Sequence, residues 1–212
     1  MQFSQMYAPR KNDFISKCYV WYFSYIFKKE FSTFRYTKLN IKDDEAILVL
    51  ANRFSWWDGF MLFQLNKKVF KKQFHVLVTS NDYQYVKHLK YFGAFAPEDK
   101  GKDVIKTLQY AGALLDNPKN LVLIFPQGKM RSSHAKSIAF EKGVLQVINA
   151  SKKKFQLVFS VILTDYFNAK KPEAEAYLAN WQAEEYISLQ LLKSEYNKHY
   201  DNAILKQSQK AG

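Results

Sequence analysis

Short apolar runs alternate with amphipathic stretches along the chain, and the alternation predicts an α/β fold. Ala46 to Ala51 (AILVLA) is continuously apolar and short, as a strand buried on both faces must be. Phe74 to Thr79 (FHVLVT), Leu121 to Phe125 (LVLIF) and Phe155 to Leu163 have the same character, and Glu173 to Leu178 is a further strand candidate. Helical spacing follows the first run through Phe60, Phe63 and Gln64, and recurs over Asp82–Lys90, Val104–Leu115 and Phe140–Ala150. Asp116-Asn117-Pro118 stops the third of these helices, and Pro126-Gln127-Gly128 turns the chain after LVLIF. Phe92-Gly93-Ala94-Phe95 reads as a strand or turn, residues 98–102 as a loop, and Ala183–Lys206 as a polar C-terminal helix. Strands separated by helices imply a mixed, largely buried sheet with helices on both faces. No repeat or linker divides the 212 residues, so a single domain over 1–212 is expected.

Residues 1–40 differ from the rest. From Asp13 to Phe34 the spacing predicts one aromatic helix or two short ones, with Phe14, Ile15, Cys18, Tyr19, Tyr22, Ile26 and Phe27 at helical intervals. Val20, Trp21, Phe23 and Tyr25 fill the other faces, and Lys11, Lys17, Lys28 and Lys29 flank the segment. Two readings fit: a helix packed on the domain, or a helix lying in a membrane surface with its rings at headgroup level and its lysines near anionic lipid. Its longest apolar stretch, Cys18 to Phe27, falls short of the roughly 20 residues a membrane span needs. The polar start, Met1 to Lys11, does not resemble a cleaved leader.

Composition sharpens the choice of ligand. Aromatic residues make up 17% of the chain, an excess that suits a lipid-facing surface or an apolar substrate pocket. The net charge is +13, which attracts anionic membrane, phosphorylated metabolites or an acidic carrier protein. The basic residues are dispersed, with no arm and no basic–aromatic motif, so nucleic acid is not an expected partner. The one cysteine, Cys18, excludes an intramolecular disulfide and reads as a packing residue. His75 reads as a strand residue in the core or at an edge, and His88 and His199 as exposed; no histidine pair has ligand spacing, so no metal is expected.

Four blocks carry chemistry, and each follows an apolar run or opens a helix. Asn52-Arg53-Phe54-Ser55-Trp56-Trp57-Asp58 follows AILVLA; Gly93 to Lys100 follows FHVLVT at a distance; Phe125-Pro126-Gln127-Gly128 ends LVLIF; Phe140-Glu141-Lys142-Gly143 opens the next helix. In that order they resemble the Asn-His-x-x-x-x-Asp motif, the glycine-led acceptor block, the Phe-Pro-Glu-Gly block and the aromatic-Lys-Lys-Gly segment of the glycerol-phosphate acyltransferase superfamily, which includes lysophosphatidate acyltransferases. The resemblance covers about 46–163. It implies transfer of a fatty acyl group from acyl-CoA or acyl carrier protein to a lipid hydroxyl, hence a role in phospholipid synthesis at the cytoplasmic face of a membrane, held peripherally, with no bound cofactor. In the family a histidine acts as general base and the aspartate five positions on orients it. Asp58 is that aspartate here, and Asn52 would support the turn. Gln127 and Gly128 would shape the acceptor pocket, with Gly93 in the other acceptor block. Lys129, Arg131 or Lys100 would hold a phosphate, and Trp56 and Trp57 would line the acyl tunnel or the membrane face.

The base position itself holds Arg53. Arginine stays protonated at every relevant pH, so it cannot take a proton from a hydroxyl. Three explanations stand: a disabled form of an enzyme, a lipid-binding pseudoenzyme in which Arg53 pairs with a phosphate, or a base from elsewhere, with His134 the histidine nearest the blocks in sequence. Gln127 replaces the family's glutamate, and Met130 stands where the family has an arginine. Asp58 also has a local reading, as the third residue of a helix capped by Ser55, and a pairing with Arg53 is open to it.

Overall fold

The computed structural model describes residues 6–9, 13–86, 88–98, 101–183 and 186–211. Strands β1 (Met6–Tyr7), β2 (Thr33–Tyr36), β3 (Ala46–Ala51), β4 (Gln73–Leu77), β5 (Ala94–Pro97), β6 (Asn120–Ile124), β7 (Phe155–Asp165) and β8 (Glu173–Trp181) form one sheet in the order β1-β5-β4-β6-β3-β7-β8-β2. The five central strands run parallel; β8 is antiparallel to β7, β2 is parallel to β8, and β1 is antiparallel to β5. The sheet is therefore mixed, as the alternation of strands and helices implies.

Burial on both faces explains why β3 has no polar residue. Ala46, Leu48 and Leu50 point into one core with helices α4 (Lys102–Leu114), α5 (Gly143–Ala150) and α6 (Leu189–Ser208). Ile47, Val49 and Ala51 point into the other, beneath α2 (Trp57–Leu65). The period of two thus divides one apolar run between two cores. Helix α1 (Asp13–Glu30) lies outside α2, and Phe23 packs there with Phe60 and Phe92. A short helix α3 (Ser80–Tyr85), capped by Thr79, follows β4. Thr79 accepts the Asp82 N–H at 3.1 Å.

Several boundaries move for reasons of tertiary pairing. The aromatic helix ends at Glu30, four residues before Phe34, because β2 finds a ladder on β8, beginning Thr33 to Glu173. Helix α5 begins at Gly143 rather than Phe140: the Glu141 N–H donates to the Pro126 carbonyl at 2.8 Å, and Phe140 packs on Tyr196. Helix α6 begins at Leu189 rather than Ala183, where Ser188 accepts the Leu191 N–H. Where a helix over Asp82–Lys90 is expected, α3 ends at Tyr85, and a 3₁₀ turn spans Leu89–Phe92.

Three side chains are not where the sequence puts them. Cys18 is exposed, because α1 turns Tyr19, Phe23 and Phe27 inward instead. His88 is half-buried among rings, 4.6 Å from Phe23 between centroids and 5.5 Å from Trp56. His199 is half-buried too, with Nε2 2.9 Å from the Tyr177 carbonyl, and burial pushes its pKa down. Among the described residues no helix is long and apolar enough to cross a membrane.

Candidate active site

The carboxyl ends of β3 and β6 lie side by side, where open parallel sheets place their ligand sites. Both strands break there into the chemistry-bearing turns. Asn52, wholly buried, continues the β3–β7 ladder with its side chain: Nδ2 donates to the Ile162 carbonyl at 2.8 Å, and Oδ1 accepts the Ile162 N–H at 2.7 Å. A carboxamide supplies a donor and an acceptor side by side, as the N–H and carbonyl of one backbone residue require. The backbone is thereby fixed at the residue before Arg53.

Gln127 ties the two turns together. Its Oε1 accepts the Arg53 N–H at 2.6 Å, and the Arg53 carbonyl accepts the Arg131 N–H at 3.0 Å. Gln127 is 1% exposed, so its side chain serves this bridge. Gly128 stands at φ +67°, a left-handed conformation that favours glycine, and a Cβ there would meet the Glu141 side chain at 3.0 Å. Lys129 and Arg131 are exposed at the rim, free of carboxylate partners among the described residues. Gly93 lies away from this junction and has a structural reason of its own: at φ +81° a Cβ would come within 2.0 Å of the Phe74 carbonyl oxygen. Lys100 lies outside the described residues.

Arg53 does not pair with Asp58. Its guanidinium turns the other way, donating to Asp82 Oδ2 at 2.8 Å and lying 5.5 Å from the Phe125 ring centre. Thr79 Oγ donates to the same carboxylate oxygen at 2.8 Å. Burial works to raise the Asp82 pKa, but these hydrogen bonds and the Arg53 charge outweigh it and hold the carboxyl below its ordinary value. Arg53 is mostly covered, at 13% side-chain exposure against 27% for Asp82, so the pair is screened less than a surface one.

Asp58 instead braces its own turn. It accepts the Phe54 N–H at 2.6 Å, the Ser55 N–H at 2.8 Å and the Ser55 hydroxyl at 2.9 Å. This is half of a capping box: the aspartate reaches back, but Ser55 donates to it rather than capping the helix, which starts at Trp57. At 2% exposure, burial pushes the carboxyl up to about 6, against the three hydrogen bonds and the Arg53 charge.

The first turn of α2 separates two spaces. On one side is a narrow apolar slot of about 60 Å³, lined by Phe23, Trp56, Phe60, His88 and Phe125, with Arg53 in its wall. On the other is a wider groove, more polar than the slot, lined in part by Ser55, Trp57, Asp58, His134 and Tyr200. The structure therefore divides the residues singled out in the sequence. Arg53 and Trp56 face the slot; Asp58, Trp57 and the exposed His134 face the groove. Asp82 and His88 were missed, because both come from the segment after β4 and only the sheet order brings that segment beside β3.

The family model for acyltransferases matches residues 33–162, which span β2 to most of β7 and contain both turns. The chain belongs to the acyltransferase family. No curated protein matches it. The matched region holds the parallel part of the sheet, α2 to α5 and the Arg53–Gln127 bridge, and the match supports an acyltransferase role in general.

Proposed function

We propose that this acyltransferase-family protein moves a fatty acyl group from acyl-CoA or an acyl carrier protein to a hydroxyl of a lysophospholipid or related lipid acceptor. The observation that carries the reading is the junction itself. Two turns at the ends of adjacent parallel strands are locked through Gln127 and Arg53 beside a slot whose lining is mostly apolar with a few polar groups, as small-molecule sites are lined. An acyl chain suits the slot, whose walls are largely aromatic and aliphatic, and the exposed Lys129 and Arg131 suit an acceptor or CoA phosphate at the rim.

A membrane surface is the proposed place of work. Helix α1 turns Phe14, Trp21, Tyr22 and Tyr25 outward, beside Lys17, Lys28 and Lys29, while Phe23 on its inner side lines the slot. Exposed rings with flanking lysines fit an anionic interface, and the helix would bring the slot to the lipid. The net charge of +13 supports an anionic surface or an acidic carrier alike.

A second reading, a non-catalytic binder of acyl lipids, is favoured by the Arg53–Asp82 pair, which fills the position of the family's base with a bonded cation. Acyl transfer by the native chain and by Arg53→His, with labelled acyl thioesters and a panel of lysophospholipids, separates the two. Turnover by the native chain supports the enzyme. Turnover by Arg53→His alone supports the binder, and no turnover by either removes the acyl-transfer reading.

A further inference from the structure

The slot contains a second polar group besides Arg53. His88 precedes the 3₁₀ turn at Leu89–Phe92 and sets its ring against Trp56, three residues after Arg53, at 5.5 Å and nearly edge-on. Phe23 and Tyr19 of α1 lie at 4.6 and 5.6 Å, and Phe92 at 6.1 Å. Its Nε2 is buried and has no hydrogen-bond partner among the described residues. An imidazole nitrogen left so costs stability, and a phenylalanine in the same cage would avoid that cost. Groups kept at such a cost are characteristic of functional sites.

Resting on the acyl-transfer reading, we propose that His88 is the general base of this protein, standing in from the same slot for the histidine that Arg53 displaces. His88 Nε2 takes the proton of the acceptor hydroxyl as that oxygen attacks the thioester carbonyl. The tetrahedral centre collapses with cleavage of the C–S bond, and the imidazolium returns the proton to the departing thiolate. The products are an ester and a free thiol, with His88 neutral again. Burial holds the imidazole pKa below its ordinary value, so the ring is neutral and able to accept at pH 7. Among the described residues, the ionisable groups that share its ring cluster or the slot are Tyr19 from α1 and Arg53 from the β3–α2 turn, with Asp82 of α3 neutralising the arginine. His134 is placed less well, being exposed and on the groove beyond the first turn of α2.

The test compares the native chain, His88→Phe, Arg53→His and the double variant Arg53→His/His88→Phe, by thiol release from an acyl-CoA with a lysophospholipid acceptor. Phenylalanine keeps the ring stack, so His88→Phe should unfold at no lower urea concentration than the native chain while losing about 100- to 10,000-fold in kcat. The native acid limb should lie below an ordinary imidazole's and vanish in His88→Phe, and the double variant should regain turnover through the restored motif histidine. Native-like turnover by His88→Phe overturns the proposal and assigns the ring a packing role. Turnover by Arg53→His with none by the native chain overturns it together with the acyl-transfer reading of the native chain, in favour of the acyl-lipid binder. Silence in both the native chain and Arg53→His overturns that reading and this proposal together.

Discussion

Replacing Asp58 with asparagine should make the protein's stability less dependent on pH, and the effect can be sized from the structure. The carboxyl has a folded-state pKa of about 6 against a reference of 3.8, because burial opposes the charge more than its three hydrogen bonds favour it. The folded state therefore holds the proton more tightly than the unfolded chain. The resulting stabilisation is complete below the unfolded value and is lost as pH rises through about 6. A shift of about two units corresponds to about 3 kcal/mol between pH 3.5 and pH 7. Asparagine keeps the geometry: its oxygen accepts the Phe54 and Ser55 N–H groups, and its NH₂ donates to a rotated Ser55 hydroxyl. Other carboxylates titrate in the same window, so the quantity to follow is the difference in urea unfolding free energy between native and variant. That difference should move in favour of Asp58→Asn by about 2–3 kcal/mol from pH 3.5 to pH 7, most of it between pH 4 and 6. A difference that stays flat, or moves the other way, would show that the hydrogen bonds outweigh burial and that Asp58 is an ordinary ionised brace.

Two further substitutions probe what holds the site. Asn52→Ala strips both partners from the Ile162 backbone in a fully buried setting and should cost about 2–4 kcal/mol, read as a lower urea midpoint at unchanged slope. Gly93→Ala drives a methyl into the Phe74 carbonyl at a positive φ and should cost about 3 kcal/mol or more, with poor soluble yield as its first sign.

The sequence by itself determined the layered α/β class, because its strands are apolar on both faces and its helices on one. Those are one-dimensional patterns fixed by periods of 2 and 3.6. It also located the turns after β3 and β6, since Asn52, Arg53, Gln127 and Gly128 sit in short segments, with Asp58 at the start of the helix that follows the first, and their order along the chain survives folding. What it could not carry is which residue faces which. Arg53 and Asp82 are 29 residues apart and meet only because β4 lies one strand beyond β6 from β3, an arrangement set by sheet order. His88 reads as polar and exposed in a window rich in lysine and tyrosine, yet α1 folds over it from the far end of the sequence. Strand β2 was hidden for the same reason. Its four residues follow an aromatic helix without a break in composition, and the β8 edge that makes them a strand lies about 140 residues downstream. A hydrogen-bond ladder is a property of two segments, and a local pattern shows only one of them.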